Sequence, residues 1–448
     1  MDPSRFGEQD RNPADDAWLR ALAFSVFFLG FAGQALRNLL DWPGFILVAL
    51  IATCAVAVPL WQVRHRAAPH VALPLAGFLL VAGASLLWSY YQWTTLLGLV
   101  IFGSTTLAGF TLAVALPWQR LLGLFAAATT SILALSLAFE LFVSVGLGTR
   151  LAPLSLPQRT DFPGAYYWSE NRLFELGPIQ GIVGNRNLLA FIAVLALVAA
   201  IAKLRMGSRH PEAHALTIGL ACVTFALTRS ATVVVLLLLL AALTGALAIV
   251  RRVAPRHRPG FYVGAGGLAL GAGGLILAHA HVALGLLGRT GTSDRTQIWR
   301  TVAALAEQRP LLGWGWVGYW APWIHPYAGL IEIDGVEYLQ AHNALLDVWL
   351  QLGLLGVVAA LALAVPLAVT AWRRAVRAPP GTPAVLAWSR LMLVAALLGQ
   401  SLTESRLLVE GNWLLLTLLA TELLPVADLL GHRRSATPRN TTTAVAAH

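Results

Sequence analysis

The sequence predicts an all-α polytopic membrane protein. Of its 448 residues, 57% are hydrophobic and only 12% are charged, and the mean hydropathy is +0.69. Soluble domains carry about 25% charged residues. Apolar stretches close to the roughly 20 residues that cross a bilayer recur along the whole chain. Together these observations allow little other than a chain that crosses a membrane many times.

Twelve apolar stretches are interpreted as transmembrane helices of a single domain, residues 1–448. They cover residues 19–36, 44–61, 71–88, 94–115, 120–145, 181–202, 214–231, 232–250, 261–287, 344–371, 384–403 and 411–430. Two connecting segments are long enough to fold, residues 146–180 and residues 288–343. The second is the large helical loop that holds most of the motifs discussed below. Residues 435–448 form a polar tail that we expect to be disordered in the cytoplasm.

The placement of basic residues predicts the orientation. With the N-terminus in the cytoplasm, most Lys and Arg residues fall in cytoplasmic segments, as the positive-inside rule requires. Both long loops then face the other side of the membrane. The net charge of +10 is therefore a topology signal, with some attraction to anionic lipid, and gives no reason to expect a nucleic-acid partner.

Two arginines lie at predicted helix N-termini on the outer side. Arg186 follows Asn185, and Arg295 follows Asp294, so each comes after a residue type that caps helices. Gln297 completes an arrangement close to a capping box. Because a helix N-terminus offers free N–H groups and partial positive charge, an arginine there is suited to binding an anion. The alternative is an arginine that reaches lipid headgroups or solvent.

His342 is a candidate general base at the start of another helix. With Asn343 it precedes the apolar stretch from residue 344, and a helix N-terminus disfavours imidazolium, so a neutral imidazole there could accept a proton. The alternative is a structural histidine held by hydrogen bonds, and His325 is a rival base. Arg229, at the turn of a tight outer hairpin, is a further candidate for the anion site.

Three acidic residues of the large loop, Glu332, Asp334 and Glu337, could bind a divalent ion. One loose cluster is weak evidence for a metal site. The sequence contains neither a phosphate-binding loop nor the spacing of zinc ligands. We therefore expect no metal and no cofactor.

The ordered motifs resemble those of the O-antigen ligase and polymerase superfamily. They are Arg295 with Trp299, residues 310–315 (Pro-Leu-Leu-Gly-Trp-Gly), residues 342–343 (His-Asn), residues 352–356 (Leu-Gly-Leu-Leu-Gly), residues 184–187 (Gly-Asn-Arg-Asn) and residues 228–230 (Thr-Arg-Ser). Their order, the twelve spans and the large loop between the ninth and tenth spans all fit. The chain departs from the family pattern at Asp294, where glycine is usual, and at residues 228–230, where Ser-Arg is more usual.

That resemblance implies a metal-independent, inverting glycosyltransferase with a GT-C-like architecture in the inner membrane of a Gram-negative cell. It implies an O-antigen donor on undecaprenyl diphosphate, a lipid A–core oligosaccharide acceptor and an active site that faces the periplasm. His342 would act as general base, and Arg186 and Arg295 would hold the diphosphate. The residues expected to bind the diphosphate or the sugars are Arg229, Asn187, Trp299, Asn343 and Trp316.

Two other functions stay open from the sequence. A polymerase of the same superfamily would use a second lipid-linked glycan as acceptor. A lipid or glycan transporter would also use arginines within the membrane, although the candidate residues here lie on one face only. A ligase must admit two bulky lipids, and the Trp- and Gly-rich residues 313–323 suit a lid over a wide cavity. The sequence therefore favours a ligase.

Overall fold

A computed structural model describes residues 13–63, 71–154, 156, 162–278, 293–421 and 423. Regular structure in these residues is almost entirely helical. The helices are α1 (Pro13–Val63), α2 (Leu73–Ala84), α3 (Gln92–Ala115), α4 (Trp118–Phe142), α5 (Arg186–Arg205), α6 (Pro211–Thr228), α7 (Ala231–Arg252), α8 (Arg258–Ala278), α9 (Ser293–Ala306), α10 (Ala344–Arg377), α11 (Thr382–Ser401) and α12 (Glu410–Ala420). Two short strands, β1 (Glu332–Ile333) and β2 (Val336–Glu337), form an antiparallel hairpin in the large loop.

The helices confirm an all-α polytopic membrane protein. Within the described residues, eight helical segments are long and apolar enough to cross a membrane. The predicted spans at 19–36 and 44–61 both fall within α1, and the predicted span at 71–88 corresponds to α2, continued by the 3-10 turn Ser85–Leu87. The ends of the predicted spans at 261–287 and 411–430, and the tail at 435–448, lie outside the described residues.

Helix α1 is two helical segments joined by a sharp turn. Asp41 has φ 58° and ψ −174°, which no helical residue adopts. A methyl group placed on Gly33 would lie 3.2 Å from the ring of Phe45. In a straight helix, residues that are twelve positions apart are separated by about 18 Å. The chain therefore reverses direction at Asp41, which agrees with the tight outer connection predicted between the first two spans.

Contacts between connecting segments separate the helix ends into two groups. At one end, the N–H of Leu154 donates to the carbonyl of Asn38 at 2.8 Å, and the N–H of Ile179 donates to the carbonyl of Leu227 at 3.1 Å. This end also carries the large loop, and we call it the loop-bearing end. At the other end, Arg251 donates two hydrogen bonds of 2.8 Å to carbonyls at the C-terminal end of α10. Which side of the membrane each end faces stays a prediction.

Two helices form the centre of the bundle. Residues 188–196 of α5 and residues 411–420 of α12 are buried without interruption. A helix that is apolar and buried on all sides belongs in the interior of a bundle. Both helices begin at the loop-bearing end, so their N-terminal residues, Arg186 and Glu410, are held there by the core.

Helix α10 is broken at Gly353, and residues 310–315 fill the break. Gly353 has φ 65° and ψ −166°. The N–H of Leu354 donates to the carbonyl of Pro310 at 2.8 Å, and the N–H of Trp314 donates to the carbonyl of Leu350 at 3.0 Å. A side chain at position 353 would overlap the backbone of Leu311, so only glycine fits there. Two of the motifs that carry the family resemblance therefore contact each other.

The first half of the Trp- and Gly-rich residues 313–323 is fixed by α10. The N–H of Gly315 donates to the carbonyl of Gln351 at 2.8 Å. The N–H groups of Val317 and Gly318 donate to its side-chain Oε1 at 2.9 and 3.0 Å. Trp316 and Trp320 are fully buried. This half is packed structure and differs from the mobile lid that its glycines suggested, because the glycines permit close backbone contact.

Candidate functional site

A buried carboxylate holds the loop that precedes α5. Glu140 of α4 accepts hydrogen bonds from the N–H groups of Gln180 and Gly181, at 3.0 and 2.8 Å, and from the hydroxyl of Ser169, at 2.7 Å. These contacts fix the chain a few residues before Arg186, and therefore fix where α5 begins.

Arg186 is the first residue of α5, as predicted. The side chain of Asn185 accepts a hydrogen bond from the N–H of Leu188 at 3.0 Å and caps the helix. The Arg186 side chain is exposed at the loop-bearing end. The next residue, Asn187, points toward the outer ends of α7 and α11. The predicted N-cap and the position of the arginine are both confirmed.

Asn343 caps α10 directly after His342. Its side chain accepts a hydrogen bond from the N–H of Leu346 at 3.1 Å. Its own N–H donates to the hydroxyl of Ser405 at 3.2 Å, which joins the start of α10 to the connection between α11 and α12. His342 has φ 50°, a left-handed conformation that turns the chain into the cap. The ring of Tyr338 packs edge-on against His342, with centroids 5.8 Å apart.

Helix α9 packs onto the protein and presents Arg295 and Trp299. Ile298 and Val302 are buried against the large loop, so the apolar face of α9 contacts protein and does not need to lie in the lipid interface. The indole N–H of Trp299 donates to the carbonyl of Ala341 at 3.0 Å. This bond ties α9 to the residue before His342. The side chain of Asp294, predicted to cap α9, lies outside the described residues.

Glu404 brings the separate candidates together. Its Oε2 lies 3.0 Å from Nδ1 of His342, and its Oε1 lies 3.6 Å from Nη2 of Arg295. The side-chain amide of Asn187 donates to the same Oε1 at 3.1 Å. Glu404 is 4% exposed. The starts of α5 and α9, the residue before the α10 cap and the α11–α12 connection therefore converge on one buried carboxylate. We call Glu404 with His342, Arg295 and Asn187 the Glu404 cluster.

The charges around Glu404 keep it ionised. Burial opposes ionisation, but the hydrogen bond with His342 and the positive charges of Arg295 and Arg406 outweigh burial and lower the pKa of Glu404 below its usual value. A carboxylate can only accept hydrogen bonds, so Nδ1 of His342 must carry the proton of the shared bond. This tautomer leaves the lone pair of Nε2 available to accept a proton.

Ser230 of the α6–α7 hairpin also reaches the cluster, whereas the Arg229 side chain does not point to it. The hydroxyl of Ser230 donates to Oδ1 of Asn187 at 2.8 Å. Arg229 has φ 47° and ends α6, and its guanidinium donates to the carbonyl of Glu175 in the first long loop at 3.3 Å. A role for Arg229 in binding the diphosphate stays a prediction.

Two further candidates, Trp316 and His325, pack among aromatic side chains. Trp316 is buried against Phe102, with ring centroids 4.8 Å apart. The ring of His325 makes edge-on contacts with Tyr90 and Trp314, at 5.6 and 6.1 Å. The structure therefore brings His342, Arg295 and Asn187 together, places Asn343 and Trp299 beside them, and gives Trp316 and His325 aromatic neighbours.

The acidic residues of the large loop form a surface hairpin. Glu332 and Glu337 are directly opposite each other in the β1–β2 pair, and Asp334 is in the turn. Over the described residues, no group of three or more His, Cys, Asp or Glu side chains is arranged to hold a metal ion.

Sequence reasoning did not single out Glu404. It lies in a short connection between two apolar helices, where one acidic residue has no distinctive pattern. The only signal was an acid next to Ser405 and Arg406 in an outer turn of a chain with few acids. Such a residue is costly to bury without partners, and this cost could have marked it as a member of a site.

A family model describes part of this chain. Residues 214–361 match the O-antigen ligase family, whose members are glycosyltransferase-like enzymes of O-antigen and lipopolysaccharide biosynthesis. The matched residues run from α6 to the first half of α10 and include Arg229, Arg295, Trp299, Trp316, His342 and Asn343. Arg186, Asn187 and Glu404 lie outside the match. No curated protein matches the chain. Residues 214–361 are therefore similar to the O-antigen ligase family, and the motifs at residues 310–315 and 342–343 lie within them.

Proposed function

We propose that the protein is an O-antigen ligase. It transfers a glycan from undecaprenyl diphosphate to the lipid A–core oligosaccharide at the periplasmic face of the Gram-negative inner membrane. The observation that carries this proposal is the Glu404 cluster, because it joins a base, His342, to an arginine, Arg295, at the loop-bearing end. These are the two groups that glycan transfer from a lipid diphosphate requires.

The reaction joins an acceptor hydroxyl to the anomeric carbon of the donor glycan. Nε2 of His342 takes the hydroxyl proton while the oxygen attacks the anomeric carbon. The bond between this carbon and the diphosphate oxygen breaks, and undecaprenyl diphosphate leaves with the electron pair. Attack from the side opposite the diphosphate inverts the anomeric centre. General base catalysis of this kind contributes about 10²–10⁴-fold to the rate.

Arg186 and Arg295 bind the diphosphate in this proposal. Guanidinium groups offer paired N–H donors that match phosphate oxygens, and their fixed charge stabilises the leaving group without a metal ion. The contact between Arg295 and Glu404, at 3.6 Å, is longer than a strong hydrogen bond.

Glu404 positions the base. Its carboxylate holds Nδ1 of His342 and stabilises the imidazolium that forms when Nε2 takes a proton. Asn187 of α5 donates to Glu404, and Ser230 of the α6–α7 hairpin in turn donates to Asn187. Trp299, a residue that is 39% exposed, offers an aromatic side chain for a sugar beside Asn343. Arg229 and Trp316 remain predicted binding residues.

The membrane topology belongs to the same proposal. Twelve spans in a GT-C-like arrangement would place both long loops and the Glu404 cluster in the periplasm. The reversal of α1 at Asp41 supports separate first and second spans. The shared contacts among outer connections support a common side for all of them.

Transfer by the purified protein tests the enzyme proposal. The protein in detergent is mixed with glycan on undecaprenyl diphosphate and with lipid A–core, and free undecaprenyl diphosphate is measured together with the glycosylated product. We expect both to appear in equal amounts, without added metal. A transporter would form no new glycosidic bond, so the absence of both products with active, folded protein would contradict an enzymatic role.

A further inference from the structure

A second group of charged side chains adjoins the Glu404 cluster. Glu410, the first residue of α12, accepts a hydrogen bond of 2.6 Å from Nη1 of Arg37 and lies 3.4 Å from Nη1 of Arg406. Arg406 is in the 3-10 turn Ser405–Leu408, directly after Glu404. The side chains of Arg37, Arg406 and Glu410 are 9%, 16% and 15% exposed, respectively. All three are therefore largely shielded from solvent.

Arg37 is firmly held within this group. Its guanidinium donates to Glu410 and to the side chain of Gln34. It also lies over the rings of Trp42 and Phe45, at 5.4 and 5.1 Å from their centroids. Such cation–π contacts add to the ion pair. Arg37 and Glu410 thus neutralise each other and join the outer end of the first span to α12.

Arg406 is held far more loosely. Its side-chain hydrogen bond within the described part of the chain is the 3.4 Å contact with Glu410, which is already engaged by Arg37. The nearby Glu404 is occupied by His342 and Asn187. A guanidinium has five N–H donors in a planar fork, and a single long contact uses few of them.

Arg406 also lies beside the N-terminus of α5. Arg406 and Leu188 line one small crevice together with Glu410. Leu188 is two residues after Arg186, and the residue between them, Asn187, binds Glu404. Arg406 therefore lies beside the first turn of α5, whose N-terminus carries partial positive charge.

The charges within this second group do not balance. Arg37 and Arg406 carry two positive charges, whereas Glu410 carries one negative charge, which Arg37 already engages at 2.6 Å. A phosphate oxygen beside Arg406 would supply the missing negative charge.

We propose that Arg406 is a third phosphate-binding guanidinium of this site. It leaves its long contact with Glu410 and binds a phosphate oxygen of a substrate, while Arg37 retains Glu410. The inference rests on the proposed transfer from a lipid diphosphate. The phosphate belongs either to the donor diphosphate or to a phosphate group on the lipid A–core acceptor.

Kinetics of two Arg406 variants show whether the phosphate that Arg406 binds belongs to the donor or to the acceptor. Arg406→Ala and Arg406→Lys are purified with the wild type and with Arg300→Ala, a control that removes an exposed arginine of α9. We expect the KM of one substrate to rise at least about tenfold in Arg406→Ala, with partial recovery in Arg406→Lys and no change in the control. A rise confined to the donor identifies the diphosphate, and a rise confined to the acceptor identifies its phosphate.

Binding of inorganic pyrophosphate tests Arg406 without catalysis. Pyrophosphate should raise the thermal unfolding midpoint of the wild type and of Arg300→Ala, and raise it less in both Arg406 variants. Unchanged KM values for both substrates, or a pyrophosphate shift that is the same in all four proteins, would overturn the assignment. If no protein transfers glycan, the proposed function fails, and the pyrophosphate comparison still decides whether Arg406 binds phosphate. Arg406→Lys keeps the test usable if the alanine variant does not fold.

Discussion

His342 has one nitrogen fixed by Glu404 and the other available for chemistry. Its Nδ1 lies 3.0 Å from the carboxylate, so Nε2 is the nitrogen that would accept the proton in the proposed reaction. We expect His342→Ala to lower the transfer rate about 10²–10⁴-fold, because general base catalysis contributes that much. The measurement is product formation by purified protein. His325→Ala is the matched control, since His325 packs against Tyr90 and Trp314. Near-normal activity of His342→Ala with loss in His325→Ala would reverse the two roles.

Glu404 links the stability of the protein to pH. Its pKa in the folded protein lies below its usual value near 4.5, because His342 and the nearby arginines outweigh burial. The folded state therefore binds this proton less readily than the unfolded state. Its stabilising contribution is complete above the ordinary carboxylate pKa and is lost as the pH falls through the lower folded pKa.

Glu404→Gln should remove this part of the acid sensitivity. The thermal unfolding midpoint of the wild type should fall as the pH is lowered from about 7 to about 3, and the fall should be smaller in the variant. Loss of a hydrogen bond to a charged group costs about 1.5–3 kcal/mol, so kcat should also drop roughly ten- to hundredfold. Identical pH profiles for the two proteins would show that Glu404 is not ionised against His342 in the folded state.

Arg186 and Arg295 should not tolerate lysine. Lysine keeps the positive charge but lacks the planar fork that binds two phosphate oxygens together. Each Arg→Lys variant should therefore use the donor at least about tenfold less efficiently, measured as kcat/KM for the lipid diphosphate, with the KM for the acceptor little changed. Wild-type kcat/KM in both variants would mean that the two residues supply only general positive charge.

His342 could be predicted from the sequence as a site residue, whereas Glu404 could not. His342, Arg295 and Arg186 stand next to helix starts, and local patterns predict helix starts. Glu404 acquires its role from side chains that are 62 and 217 positions away along the chain. No local pattern encodes such contacts, so the carboxylate that organises the site could be found only when the helices were placed together.

At the level of elements, the break in α10 is sensitive to the addition of a single methyl group. Gly353 has φ 65°, and a side chain there would overlap the backbone of Leu311. We expect Gly353→Ala to destabilise the protein by at least about 1–3 kcal/mol, the usual cost of a strained backbone residue. The measurement is the thermal unfolding midpoint in detergent, together with transfer activity.

Gly77→Ala is the matched control for the break. Gly77 lies within α2, and a methyl group there would meet nothing within 4 Å. Since alanine favours helix more than glycine does, this variant should be as stable as the wild type or slightly more stable. Equal stability of the two variants would mean that residues 310–315 do not occupy the break.

Hydropathy predicts where a chain enters a membrane but not how its helices bend. The predicted spans 181–202, 214–231 and 232–250 correspond closely to α5, α6 and α7. The break at Gly353 and the shortness of α2 were not predicted, because both depend on residues 310–317 packing beside them. The sequence predicted an apolar face on α9. In the structure this face packs against other parts of the protein, whereas the sequence suggested that it could lie in the lipid interface.

At the scale of the whole molecule, the candidate residues whose contacts are described above all lie at the loop-bearing end. The first long loop, the large loop and four helix starts meet there, whereas the arginines at the other end, such as Arg251, bind helix carbonyls. A site confined to one end suits a reaction between two membrane lipids in one leaflet. A transporter would need access from both ends of the bundle.

The choice between ligase and polymerase depends on which acceptor reaches this end. Both enzymes would use the same base and the same arginines, but only the ligase must accept the phosphate-bearing lipid A–core. The phosphate contact proposed for Arg406, together with the positive charge of Arg150 in the first long loop, would favour a strongly anionic acceptor. We therefore expect purified protein, given both the polymer-bearing carrier lipid and lipid A–core, to form the joined lipopolysaccharide on a gel. Polymer lengthening on the carrier lipid, with none delivered to lipid A–core, would instead identify a polymerase.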